Sequence, residues 1–130
     1  MQILINFITN AIKFSPKNST IIVMLKQIQT AEIDNFCYYD VSVTDQGIGM
    51  SEIDVANLFK PYFKTKNKLS SELNTNSHGL GLSISMSMSK LLGYNITVES
   101  SPGKGSTFTL KMKFEGRATN VETKVIKGRK

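Results

Sequence analysis

From Ile3 to Phe14 the chain is rich in apolar residues and free of glycine and proline, until Ser15-Pro16 pushes the residue before proline out of the helical region. This pattern predicts a helix ending near Phe14. The stretch Ile21 to Ile28 is apolar and β-branched, and beyond a turn containing Glu, Asp and Asn, Tyr39, Val41 and Val43 alternate with Asp40, Ser42 and Thr44. A period of two marks a half-buried strand, so two strands are predicted here. Ser51 with Asp54 three residues on resembles a capping box, and Ile53, Val55, Leu58 and Phe59 supply the apolar positions of a short helix before Pro61. From Lys60 to His78 no period survives. A polar loop of that length suits a functional lid or a disordered segment.

The segment Leu80 to Leu92 reads two ways: Leu80, Leu82, Ile84, Met86 and Met88 alternate, while Leu80, Ile84, Met88, Leu91 and Leu92 follow helical spacing. Helix is preferred, because Leu and Met are good helix formers, Lys90 suits a last turn and Gly93 suits a left-handed cap. Tyr94, Ile96 and Val98 then share one face, a Ser-Pro-Gly-Lys-Gly turn reverses the chain, and Phe108, Leu110, Met112 and Phe114 resume the alternation. The sum is an α+β two-layer sandwich, a mixed, mostly antiparallel sheet with about three helices on one face.

At 130 residues, 40% of them apolar, the chain is sized for one domain. No apolar run approaches the roughly 20 residues that span a bilayer, and no secretory signal opens the chain, which predicts a cytoplasmic segment without membrane contact. One cysteine, Cys37, allows neither an internal disulfide nor a thiolate metal cluster, and it reads as a buried structural thiol. The net charge of +6 raises nucleic-acid binding as a class. Half of that excess lies between Glu115 and Lys130, where Arg117, Lys124, Lys127, Arg129 and Lys130 face only Glu115 and Glu122. Residues 115–130 therefore read as a basic, disordered tail, and a nucleic-acid interface is not predicted.

Three patterns carry candidate chemistry. Asn6, Asn10 and Lys13 fall on one face of the first helix, where amide oxygens suit magnesium and the ammonium suits phosphate. Asp45-Gln46-Gly47-Ile48-Gly49 ends the alternating strand, and the parity turns Asp45 toward the core with Val41 and Val43. A buried carboxylate needs a donor, and the exocyclic amine of adenine is one that guanine lacks. His78-Gly79-Leu80-Gly81-Leu82 opens the last helix, where free N–H groups and the positive dipole end favour an anion. Each pattern also has a plain structural explanation: a polar helix face, an Asp/Gly turn and a glycine helix start. No Walker loop or dinucleotide fingerprint is present. His78 is the sole histidine, so no triad can form, and its place beside the glycines suits contact with phosphate or solvent better than phosphoacceptance.

In order and spacing, these segments resemble the ATP-binding superfamily that joins gyrase, the ninety-kilodalton heat-shock chaperones, mismatch-repair ATPases and histidine kinases. The resemblance runs from Met1 to about Phe114 and covers Asn6 to Phe14 as the asparagine box and Asp45 to Met50 as the adenine box. Leu58 to Phe63 resembles the phenylalanine box, Gly79 to Leu82 the second glycine box, and Gly103 to Phe108 the closing glycine turn. It implies the Bergerat ATP-binding fold over residues 1–114, with ATP and magnesium as ligands. Asn10 is then the magnesium ligand, Asn6 and Lys13 lie near the phosphates, and Phe14, Asp45, Gly47, Ile48, Gly49, Met50, Phe59, Lys64, His78, Gly79, Leu80, Gly81 and Leu82 line the nucleotide. Thr107 would face the base near Asp45.

Superfamily members that hydrolyse ATP carry glutamate as general base four residues before the magnesium asparagine. Asn6 stands there in this chain, and an amide takes no proton from water at neutral pH. The resemblance thus points to the sensor and hybrid histidine kinases, which pass the γ-phosphate to a histidine on a phosphoacceptor domain and onward to a receiver. Family domains begin with further strand and helix residues, and dimerise through the helices that bear the acceptor. On that comparison the chain is expected to be truncated at its N-terminus. The alternative is an ATP-binding or docking module without catalysis of its own.

Overall fold

The computed structural model of the chain describes residues 2–28, 35–61, 81–116 and 123–130. Helix α1, Gln2–Phe14, turns Ile3, Phe7 and Ala11 inward at spacings of four, the stripe one helix face presents. Phe7 is fully buried with its ring centroid 5.2 Å from that of Phe108, a burial that stabilises by about 2–3 kcal/mol. Lys13 in the last turn opposes the negative end of the helix dipole.

Strands β1 (Thr20–Ile28), β2 (Phe36–Asp45), β3 (Asn95–Ser100), β4 (Ser106–Glu115) and β5 (Lys124–Arg129) form one sheet in the order β3-β4-β2-β1-β5. All four pairings among the described residues are antiparallel, in keeping with the mostly antiparallel sheet expected from the sequence. Val41 and Val43 of β2 and Phe108, Leu110 and Met112 of β4 face the helices and build the core with Ile3, Phe7, Ala11 and Ile96.

Helix α2, Glu52–Asn57, starts on Ser51, whose Oγ accepts from the Asp54 amide at 3.2 Å, as the capping pattern predicts. Helix α3, Gly81–Leu92, ends at Gly93 with φ 73°, where the Tyr94 amide donates to the Ser89 carbonyl at 2.8 Å and the Gly93 amide to the Lys90 carbonyl at 3.2 Å. That is a Schellman cap, which confirms helix over strand. The buried face of α3 differs from the one its apolar spacing predicts. Ser85 and Ser89 are 0% exposed, whereas Leu91 is 88% exposed and Ile84 and Leu92 also face outward. Each serine hydroxyl donates to a carbonyl of its own helix, Gly81 and Met86 respectively, so burying it leaves no polar group unsatisfied. Small side chains also let α3 lie close to α1, while Leu82, Met86 and Met88 fill the flanks of the core.

The segment read as a disordered basic tail is corrected as well. Although every side chain of β5 is exposed, its backbone pairs with β1 from Thr20↔Arg129 to Leu25↔Lys124. Beyond it the Lys130 amide donates to the Ser19 carbonyl at 3.0 Å, and Lys130 Nζ donates to the Ser15 carbonyl. An edge strand needs only its backbone to pair, and lysines on an edge are compatible with strand structure. Lys64, expected to line the nucleotide, lies outside the described residues, as do His78, Gly79 and Leu80.

Candidate functional site

Asp45 closes β2 and is 6% exposed, on the helix side of the sheet as its parity predicts. Its Oδ1 accepts from the amide of Gly47 at 2.8 Å and from the amide of Ser106 at 3.3 Å. Neither donates to Oδ2. Burial pushes the carboxyl above the ordinary carboxylate range, and the two amide donors pull against that shift.

The loop after Asp45 is laced to the turn between β3 and β4. The Met50 amide donates to Ser100 Oγ at 2.9 Å, Ser100 Oγ lies 3.0 Å from the Gly105 carbonyl and 2.8 Å from Ser106 Oγ, and the Gly103 amide donates to the Ile48 carbonyl at 2.7 Å. Two glycines make this approach possible. Gly49 has φ 68° and a Cβ there would strike the Ser101 carbonyl; Gly105 has φ 80° and a Cβ there would strike the Asp45 carbonyl. The end of α1 reaches the same loop, since a Cβ on Gly47 would sit 2.5 Å from the Phe14 carbonyl. Met50 and Phe59 pack against the core, and Ile48 is half-buried.

On α1, Asn10 is half-exposed and its side chain makes no hydrogen bond among the described residues. Lys13 Nζ lies 5.5 Å from the Phe14 ring centroid. Asn6 instead reaches α3: its Nδ2 donates to the Gly81 carbonyl at 2.9 Å and to Ser85 Oγ at 2.8 Å, while its Oδ1 accepts from Gln2 Nε2 at 3.1 Å. These contacts bring the asparagine box and the start of α3 together, and the Phe14 approach brings α1 to Asp45. No cluster of three or more His, Cys, Asp or Glu that could hold a metal occurs among the described residues. A hard cation on this face would rely on amide and ligand oxygens.

Thr107 is not where the resemblance sets it. Thr44 pairs with Thr107 and their hydroxyls share a hydrogen bond of 3.0 Å, whereas Asp45 pairs with Ser106. Alternation puts Thr107 on the sheet face away from Asp45, and Ser106, buried, on the same face. The signal was in the sequence: Phe108 faces the core, so position 106 does too. Ser100 and Ser85 also belong to this region and were not singled out from sequence, since they act through hydrogen bonds to the Met50, Gly105 and Gly81 backbone and to Asn6 that no motif records.

Residues 1–116 match the family described as histidine kinase-, DNA gyrase B-, and HSP90-like ATPase. The sensor protein GacS of Pseudomonas syringae pv. syringae is 37% identical over 86% of this chain and 12% of its own length. Hybrid signal transduction histidine kinase F of Dictyostelium discoideum is 35% identical over 92% of the chain and 10% of its own length. The chain thus spans about an eighth or less of these relatives. Among solved structures, full-length ShkA in complex with AMPPNP superposes with TM-score 0.61 at 27% identity, covering 91% of this chain and 22% of that one. The mycobacterial sensor histidine kinase MprB shares the fold, with TM-score 0.69 at 21% identity over 89% of this chain and 70% of that one.

Proposed function

The chain belongs to the histidine kinase-, DNA gyrase B- and HSP90-like ATPase family, and from that premise we propose that it binds ATP with magnesium and donates the γ-phosphate to a histidine on a separate phosphoacceptor domain, from which a receiver domain takes it. The observation that carries this reading is the Asp45 carboxylate, buried at the sheet end with both backbone donors on Oδ1. The amine of adenine would meet Oδ2, and a guanine carbonyl would repel it.

The phosphates would lie toward Asn10, Lys13 and the amides that open α3. Gly81 supports this, because among the described residues a Cβ there would meet nothing nearer than the Asn6 side chain at 3.8 Å. Packing does not demand glycine at that position, whereas close approach of a ligand to the backbone would. Asn10 would hold magnesium through Oδ1, a hard oxygen that makes no hydrogen bond among the described residues. The ion would neutralise charge on the transferring phosphoryl group. Asn6 is no general base, so an imidazole nucleophile is favoured over water as acceptor.

The test is nucleotide affinity of the chain for ATP and GTP, with and without magnesium, alongside Asp45→Asn. ATP is expected to bind at least tenfold more tightly than GTP, and Asp45→Asn to remove most of that preference. Equal affinity for the two nucleotides would overturn the adenine assignment. Transfer is read by adding a helical acceptor domain of a histidine kinase in trans with labelled ATP; phosphate release without labelled histidine would favour hydrolysis instead.

A further inference from the structure

Asn6 Nδ2, Ser85 Oγ and the Gly81 carbonyl oxygen form a triangle with sides of 2.8, 2.9 and 2.9 Å, and Ser85 Oγ itself donates to that carbonyl. Two acceptors therefore face position 6 from α3, and the amide must present its nitrogen to them. The Gln2 donor to Oδ1 fixes the same orientation from the other side. Ser85 is fully buried, and its hydroxyl is satisfied only within this triangle among the described residues.

We propose that Asn6 and Ser85 are a pair of positioning residues, an amide-selective brace that sets the first turn of α3 against α1. The proposal rests on the reading that this turn meets the nucleotide phosphates. A carboxylate at position 6 would face the Gly81 carbonyl lone pair to lone pair. The serine hydroxyl can turn to meet a carboxylate, but the carbonyl cannot. Asparagine at position 6 is thus favoured by α3 over a carboxylate, whose oxygens would lack a donor in the Gly81 carbonyl.

Two arms test it. The first measures melting of the nucleotide-free chain and of Asn6→Asp from about pH 8 to about pH 4. Protonation relieves the lone-pair clash with the Gly81 carbonyl, so the proton is expected to bind the folded state more tightly than the unfolded one. The deficit of Asn6→Asp against wild type is therefore expected to be full at pH 8 and to shrink as pH falls, because the protonated oxygen can donate to Gly81. A deficit that is absent or that ignores pH overturns the brace.

The second arm compares ATP with adenosine on Ser85→Ala. A several-fold loss of ATP affinity with adenosine affinity unchanged supports positioning of the phosphate end. Equal loss of both, or loss of neither, overturns it. Should wild type bind neither probe, the nucleotide reading fails and the melting arm alone decides the brace.

Discussion

Asp45 and Ser106 face each other across β2 and β4, and the amide of Ser106 donates to Asp45 Oδ1 at 3.3 Å. The carboxylate at the end of one strand is held by the first residue of the next. Holding it there has a cost, since the carboxyl sits out of water with its ionised form penalised.

That penalty sets a pH dependence. With its folded value raised above the unfolded one, Asp45 contributes stability that is fully present below the unfolded value, about 3.9 for aspartate, and lost as pH rises through the folded value. Wild type is expected to lose melting temperature relative to Asp45→Asn as pH rises from about 4 to neutrality. Parallel melting curves for the two proteins across that range would show that the burial carries no such linkage.

The register separates two adjacent hydroxyls. Thr107→Val removes a bond to Thr44 on the far face and keeps a β-branched strand residue, so ATP affinity is expected to change less than about twofold. Ser106→Ala breaks the hydroxyl contact with Ser100, which also holds the Met50 amide and the Gly105 carbonyl. A loss of about 1 kcal/mol, roughly fivefold in affinity, is expected there. Isothermal titration of both variants decides it; a larger effect at Thr107 would place the site on the other face.

Gly105→Ala combines a positive φ with a collision against the Asp45 carbonyl, a backbone atom that cannot swing aside. Destabilisation of about 2 kcal/mol or more is expected, read as a fall in melting temperature of roughly 10 °C. Gly81→Ala, with its nearest neighbour at 3.8 Å, is expected to melt close to wild type while weakening ATP.

Deleting residues 124–130 strips β5 from β1 and leaves the backbone of Ile21 to Leu25 unpaired on that side. The shortened chain is expected to melt lower and to self-associate as protein concentration rises, since a bare apolar edge invites another strand. Sedimentation velocity at two concentrations measures this. A monomer at both would show that the β1 edge is protected by something other than β5.

The periodic elements were legible because burial is written into them directly. Phe7 on α1, Val43 on β2 and Phe108 on β4 are large and apolar, and helical or strand spacing alone puts them on one side. The inner face of α3 was hidden because Ser85 and Ser89 are buried by virtue of their own backbone bonds, which no hydropathy pattern records. β5 was hidden for the opposite reason: nothing in it is buried, and its order comes from pairing with a distant strand. The asparagine and Asp-Gly boxes could be read from their residue types, but which of positions 106 and 107 shares the face of Asp45 depended on parity.

That dependence on parity reaches beyond one residue. A slip of β4 by two residues against β2 would leave its apolar side chains on the inner face, so the inward-outward alternation alone does not discriminate against it. The amide of Ser106 opposite Asp45 and the Gly105 turn seated on the Asp45 carbonyl, together with the Thr44–Thr107 hydroxyl bond and the Lys111–Asp40 ion pair, distinguish the native alignment from its neighbour. A ligand that requires that carboxylate in place would bind the aligned chain alone and stabilise it by about 2.7 kcal/mol at a hundred times its Kd. Nucleotide would then reinforce the native strand alignment at the end of the sheet where that carboxylate sits.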